Sequence, residues 1–320
     1  MRLFKQIIVM AVVIMATLGC EKIENPSRTS SSLRFRVDVE NREIVTKALG
    51  NGPEYFYLFG WYRGGNEHGA AGISYYTSSK GAQNWEKYTL RDNGDYVVEG
   101  GSTVEDNPEW HKAQFKWEEG TVLSKFWACT NWGTSLPNLQ ATAHGGADEE
   151  DLFKVSYLSY DKMLDAAQQT DFMIAYSRQS QTDVVVDDIL RLTFKHTLSK
   201  ITFVDKSGGE ISSLKVGGTY ESGNLEYTSA GVITWSQGGN PWRPKTMTGG
   251  NGSMYLIPQT FSAENPLEIT IELKDGTTKS KKIESAAWEA GYEYTYNLNV
   301  TKTKAGEGIF SVECISESGY

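Results

Sequence analysis

The chain has little of what most enzymes use for chemistry. Its 320 residues include only four histidines, His68, His111, His144 and His196. None sits in a His-Glu-x-x-His pattern or has a second His or Cys at metal-ligand spacing, so no zinc site is expected. No Gly-x-Ser-x-Gly elbow, phosphate-binding loop or dinucleotide fingerprint occurs. Catalytic, cofactor-binding and metal residues are therefore all left unassigned, and neither an enzymatic activity nor a cofactor is expected. Asp148-Glu149-Glu150-Asp151 is a carboxylate run, but it lacks the alternating spacing and turn glycine of a calcium loop and reads as a solvated acidic loop. Excess positive charge is also missing. The formal net charge of -9 argues against nucleic acid as a partner, because phosphates call for basic patches. Cysteine is scarce, with only three residues, Cys20, Cys129 and Cys314, and no Cys-x-x-Cys pair. Cys129 and Cys314 are expected as buried thiols, with a disulfide between them as the alternative outside the cytoplasm. Long hydrophobic runs are limited to Ile7 to Leu18, about 18 Å as a helix at roughly 1.5 Å per residue, too short for a ~30 Å hydrocarbon core.

That short run is informative because of its flanks. Arg2 and Lys5 precede it and Gly19-Cys20 follows, which reads as an export signal over residues 1-19. Thr17-Leu18-Gly19-Cys20 resembles the bacterial lipoprotein signal, in which the peptide is cut before the cysteine and the cysteine carries the lipid. Leu18 stands one place later than the leucine of the usual pattern, and an ordinary signal peptide is the alternative. Residues 20-32 are polar, with four serines near the end, and are expected to form a tether.

From residue 33 the pattern changes to period two. Leu33, Phe35, Val37 and Val39 alternate with Arg34, Arg36 and Asp38, placing the four apolar side chains on one face of a strand. Further strands are expected at 55-61, 85-90, 96-98, 114-117, 122-130, 189-196, 198-204, 213-216, 231-235, 253-257, 267-273, 279-283 and 292-300. Asn93-Gly94 marks a tight hairpin between two of them. Residues 133-150 and 236-252 are expected to be loops, 177-183 a polar bridge, and 151-170 a helix on the loose spacing of Leu152, Phe153, Val155, Met163, Leu164 and Ala167. Aromatic residues at 12% and 32 glycines fit an all-β fold of strands and turns. Many short strands at this spacing predict two β-sandwiches in tandem, residues 33-183 and 184-320. His196, between two strands, reads as a hydrogen-bonded structural histidine. Most of the nine tryptophans are expected in the cores, with Trp242 exposed in a glycine-rich loop. A platform of exposed tryptophans on a surface glycan-binding lipoprotein is the alternative function.

Several segments, in order, resemble the Mfa-like fimbrillin family, the subunits of type V pili. Leu190 to Phe203 (LRLTFKHTLSKITF) resembles the family's Phe-Lys-His double strand. Met254 to Thr260 (MYLIPQT) resembles its Leu-Ile-Pro-Gln strand end, and Trp288 to Tyr296 (WEAGYEYTY) resembles its Trp-x-Ala-Gly-x-x-Tyr segment. The resemblance implies two transthyretin-like sandwiches and a fimbrial structural subunit exported to the outer membrane through lipid on Cys20. It further implies removal of residues 33-47 by a trypsin-like processing protease cutting after a basic residue, with Lys47 in Thr46-Lys47-Ala48 and Arg42 as candidate sites. Other fimbrial subunits would be the partners, filling the vacated groove by donor-strand exchange in an extracellular fimbrium. Ile309 to Ile315 is the candidate donor, with Phe310, Val312 and Cys314 on one face. The alternative is that this segment is the last strand of the subunit's own second sandwich, and a tip or anchor subunit would donate no strand.

Overall fold

The computed structural model describes residues 34-40, 53-64, 73-75, 86-90, 96-98, 121-130, 138-142, 152-159, 169, 171-180, 189-220, 222-238, 244-302 and 308-320. All regular structure among them is strand. In chain order the strands are β1 (Arg34–Val39), β2 (Tyr55–Gly64), β3 (Ile73–Tyr75), β4 (Glu86–Leu90), β5 (Tyr96–Val98), β6 (Thr121–Cys129), β7 (Asn138–Thr142), β8 (Leu152–Ser159), β9 (Met173–Ser180), β10 (Ile189–His196) and β11 (Ser199–Asp205). There follow β12 (Ile211–Gly217), β13 (Ser222–Thr228), β14 (Ile233–Gly238), β15 (Lys245–Thr248), β16 (Gly252–Leu256), β17 (Gln259–Phe261), β18 (Leu267–Leu273), β19 (Thr278–Ile283), β20 (Ala286–Trp288), β21 (Tyr292–Lys302) and β22 (Gly308–Gly319).

The first sandwich is built on an eight-stranded sheet of order β1-β10-β9-β6-β2-β4-β5, with β3 also paired to β2. Period two sorts its residues cleanly onto two faces. Phe56, Leu58, Phe126, Ala128, Ala175, Leu190, Leu192 and Phe194 share one buried cluster with Val37, Val39 and Tyr88. Trp127, Cys129 and Ile174 point the other way and pack against Leu225 and Tyr227 of β13. That strand belongs to a second sheet of order β14-β13-β8-β7.

The second sandwich places sheet β16-β11-β21-β22 against sheet β15-β12-β18-β19. Ile201, Phe203, Tyr294, Tyr296 and Leu298 face Leu214, Val216, Leu267, Ile269 and Ile271 in its core. Phe261 and Trp288, on the short β17-β20 pair, close one end with rings 4.6 Å apart and nearly perpendicular.

Several expectations need correction. Residues 152-159 form a strand, not the start of a helix, and pair with β13 and β7. A register shift between Gly223 and Leu225 on the partner marks an irregularity that blurs the alternation of β8. Strand β7 lies inside the expected loop 133-150, and β14 and β15 run into the expected loop 236-252. β9 continues to Ser180 through the expected polar bridge, with Ser177 and Gln179 buried among its inward residues. The expected boundary at 183 lies between β9 and β10, which are antiparallel neighbours in one sheet. Strands β13 and β14 also return to pair beside β8, so strand pairing carries the first sandwich well past that residue. Cys129 is buried and free as expected. Cys314 is also free but exposed, because the final strand lies at a sheet edge.

Candidate functional site

β1 sits at the edge of the eight-stranded sheet and runs parallel to β10, its one strand neighbour among the described residues. Phe35 lies opposite Leu190, Val37 opposite Leu192 and Val39 opposite Phe194. Val37 is 2% exposed and Val39 6% exposed, while Arg36 and Asp38 face solvent on the other side. The Arg36–Asp38 ion pair at 3.6 Å is well exposed, so it adds little to what the valines contribute. Beyond the strand, the Glu40 amide donates to the Phe194 carbonyl at 2.8 Å and its carboxylate meets Lys195 at 3.4 Å. Without β1, β10 would present one row of open backbone groups and Leu190, Leu192 and Phe194 would lose part of their cover. Leu33, Arg42, Lys47 and Cys20 lie outside the described residues.

β22 occupies the edge of a different sheet, antiparallel to β21. Phe310 and Val312 are half-buried against the second core, whereas Cys314 is exposed. Ile309 and Ile315, on the opposite face, are 60% and 50% exposed. At the far end, Tyr320 docks by its backbone amide on the Gly291 carbonyl and by its hydroxyl on the Leu198 carbonyl, both at 3.0 Å. The structure thus places the candidate removable strand and the candidate donor on separate sheets of one chain and does not bring them together.

The segments singled out in the sequence have physical roles in holding these edges. His196 Nδ1 is hydrogen-bonded to Asp171 Oδ2, as expected for a structural histidine, and Thr197 Oγ1 donates to the Phe172 carbonyl at 2.6 Å. These contacts tie the end of β10 to the segment entering β9. Gln259 is buried, accepting from the Tyr220 amide at 3.0 Å and donating to the Gly218 carbonyl at 3.0 Å. Trp288 donates its indole N–H to Tyr296 Oη at 3.0 Å, and the Glu289 amide donates to Tyr294 Oη at 3.0 Å. Gly291 has φ of 76°, a left-handed conformation that favours glycine, and it turns the chain into β21. Burial pushes the Tyr296 hydroxyl up to about 12, with Cys314 and Glu317 on β22 adding to the rise. Burial likewise raises Tyr227 to about 12, with the Glu40 carboxylate just beyond β1 contributing.

A cleft of about 580 Å³ lies between β10, β14 and the β20-β21 turn, and Glu40, Lys195, His196, Trp235 and Tyr292 contribute to its wall. No group of three or more His, Cys, Asp or Glu side chains suited to a metal occurs among the described residues. Trp127 and Trp288 are core residues, and Trp242 lies outside the described residues.

The fold and these two edge strands define an all-β protein of paired sandwiches. Residues 63-314 match the fimbrillin-like family, and the chain belongs to it. No curated protein matches the sequence. A putative cell adhesion protein from Bacteroides ovatus is similar in structure, with a TM-score of 0.54 at 13% identity over 92% of this chain and 99% of that one. A second, from Bacteroides uniformis, has a TM-score of 0.50 at 15% identity over 90% of this chain and 98% of that one. At such identities the likeness establishes the sandwich fold.

Proposed function

We propose that this protein is a structural subunit of a surface fimbrium that serves adhesion, without enzymatic activity. The precursor is held at the outer membrane by lipid on Cys20 and is cut after Lys47 or Arg42 by a trypsin-like protease. The segment carrying β1 then leaves, and the groove along β10 receives β22 of the next subunit. Family membership supports the fimbrial role, and the printed descriptions of the two similar structures, as putative cell adhesion proteins, agree with it. The single observation that carries the assembly step is the placement of β1. It is an edge strand with one neighbour among the described residues and with Val37 and Val39 buried, directly before the basic stretch Arg42 to Lys47.

The energetics fit a strand that is held firmly yet can be exchanged. Each main-chain hydrogen bond contributes only about 1 kcal/mol net. Burying a valine side chain contributes roughly 1.5 to 3 kcal/mol, so Val37 and Val39 would supply much of the hold. An incoming strand with apolar residues at alternate positions recovers both terms by β-augmentation. Treating the purified precursor with a trypsin-like protease should give a ladder of oligomers that resists SDS. Lys47→Gln and Arg42→Gln, made separately, should identify the cut, because only one of them should block the ladder. Clean cutting in the 42-47 stretch that leaves only monomer would refute strand exchange.

A further inference from the structure

The three segments singled out in the sequence, far apart along the chain, meet at one cleft. Lys195 comes from the Phe-Lys-His strand, Thr260 from the Leu-Ile-Pro-Gln strand end, and Glu289 and Tyr292 from the Trp-x-Ala-Gly segment. Another wall is β14, where period two puts Ile233, Trp235 and Gln237 on one side of the strand. The volume of about 580 Å³ is that of a small-molecule site.

The walls are fixed by contacts of their own. The Trp235 indole N–H donates to the Thr197 carbonyl at 2.6 Å, and a Cβ built on Gly223 would meet the ring at 3.1 Å. The indole is therefore tied at its edge and backed by bare main chain, yet it stays only half-buried. The Glu289 amide donates to Tyr294 Oη at 3.0 Å and its carbonyl accepts from Ser199 Oγ at 2.8 Å, while the residue itself is exposed. Lys195 is positioned from two sides. Its ammonium lies 3.2 Å from where a Cβ on Gly231 would stand, a turn residue with φ of 85°, and meets the Glu40 carboxylate at 3.4 Å. Val39 opposite Phe194 is the last pair of the β1-β10 ladder, so this ion pair stands just beyond it.

We propose that this cleft binds an acidic sugar, a hexuronate unit of a polysaccharide, with its carboxylate on Lys195 in place of Glu40 and its ring along Trp235. The Glu40 carboxylate shows what Lys195 accepts. A pyranose has a face of C–H groups that suits a fixed, half-buried indole. Its hydroxyls both donate and accept, which serves the Glu289 carboxylate, the Gln237 amide and the Thr260 hydroxyl together. An apolar ligand would strip water from these groups without offering hydrogen bonds in return. A phosphate dianion would meet a single lysine with the Glu289 carboxylate nearby, whereas one carboxylate balances one ammonium. An acidic peptide would bring the carboxylate but no rigid ring for the indole.

The site gives the adhesion proposed above a ligand class. Its opening rests on the release of β1, which carries Glu40 away. A strand that takes the place of β1 along the ladder ends before Lys195, so the cleft stays open. Repetition of the site along a fimbrium adds avidity to a weak single contact.

Calorimetric titration of the full-length precursor with trigalacturonate, and with its methyl ester as the uncharged control, tests the site. Glu40→Ala should bind the acid at least about ten-fold more tightly than the native precursor, because the internal carboxylate no longer competes. The ester should bind Glu40→Ala about ten-fold more weakly than the acid. Adding Lys195→Gln should remove that preference, and adding Tyr292→Ser instead should weaken the acid about three-fold. Lys195 and Tyr292 are both partly exposed, so these variants should fold, and unchanged thermal melting checks this.

No binding by folded Glu40→Ala would overturn the site. Equal binding of acid and ester, or a preference that survives Lys195→Gln, would overturn the role of Lys195. Hexaglutamate displacing trigalacturonate at equal concentration would overturn the sugar. A native precursor that binds as tightly as Glu40→Ala would overturn the masking by Glu40. All of these titrations use the uncut chain, so they hold whether or not strand exchange occurs. Binding by Glu40→Ala with no gain when the native precursor is cut would uphold the site and contradict the release of β1.

Discussion

The first and last described strands of this protein, β1 and β22, share an alternating pattern and a position at a sheet edge, yet they are held in different ways. β1 buries Val37 and Val39 almost completely along β10. β22 makes a longer ladder with β21 but leaves most of its side chains exposed. A strand held mainly by backbone bonds stands ready to move, because those bonds can be remade elsewhere at little net change. A strand held by buried side chains stays until its covalent link to the body is cut and a competitor offers the same side chains. On the proposed function, this contrast suits β1 to the role of a plug and β22 to that of a donor.

The largest effect that would test this contrast comes from placing a charge on each strand. Val37→Asp should destabilise the precursor by at least ~3 kcal/mol, because it buries a carboxylate without a partner. Val312→Asp should cost only about 1 kcal/mol in the monomer, since its site is half-solvated. Urea unfolding of both precursors reads the difference, and equal losses would erase the distinction. Next in size is the turn that leads into β21. Gly291→Ala forces a Cβ into a left-handed conformation and should cost about 1 to 2 kcal/mol by thermal or urea unfolding. It should also loosen the end of β22, because the Tyr320 amide bonds to the Gly291 carbonyl. Deleting residues 308-320 should leave a folded subunit that accepts a strand from intact subunits but donates none, as seen by capping of growing ladders. Continued growth from the deleted form would return β22 to the status of an ordinary last strand.

The smallest effect is a titration that reports on each strand separately. Tyr227 and Tyr296 hold their protons up to about 12 in the folded state, against an ordinary value near 10. Between those values the unfolded chain has lost protons that the folded chain keeps, so stability falls as pH rises through that window. It is fully present below pH ~10. Release of β1 with Glu40 should lower the Tyr227 value, and deletion of β22 with Cys314 and Glu317 should lower that of Tyr296. Phenolate absorbance in the two altered forms checks whether each tyrosine follows its own strand.

Much of the fold was legible in the sequence where alternation was strict. β10, β5 and β18 fall on the expected residues, and the Asn93-Gly94 signal lies between β4 and β5, which pair antiparallel. What escaped was hidden by polar residues turned inward or by local irregularity. Ser177 and Gln179 occupy buried positions of β9, and Lys245 a buried position of β15, so apolar periodicity could not find those strands. β8 resembled a helix because its partner carries a register shift and its apolar residues crowd Leu152-Phe153 and Tyr157-Leu158. The return of β13 and β14 to pair beside β8 depends on contacts far apart in sequence, which no local pattern encodes. Among the candidate site residues, the face formed by Val37 and Val39 was readable from spacing alone. The exposure of Cys314 was not, because it depends on which edge β22 takes.

Amide hydrogen exchange across Leu190 to Phe194 tests the plug-and-donor assignment most directly. The account predicts strong protection in the uncut precursor and loss of that protection once β1 is released from subunits lacking residues 308-320. Protection should return when intact, cut subunits are added. Protection that persists after β1 leaves, or that intact subunits fail to restore, would contradict it.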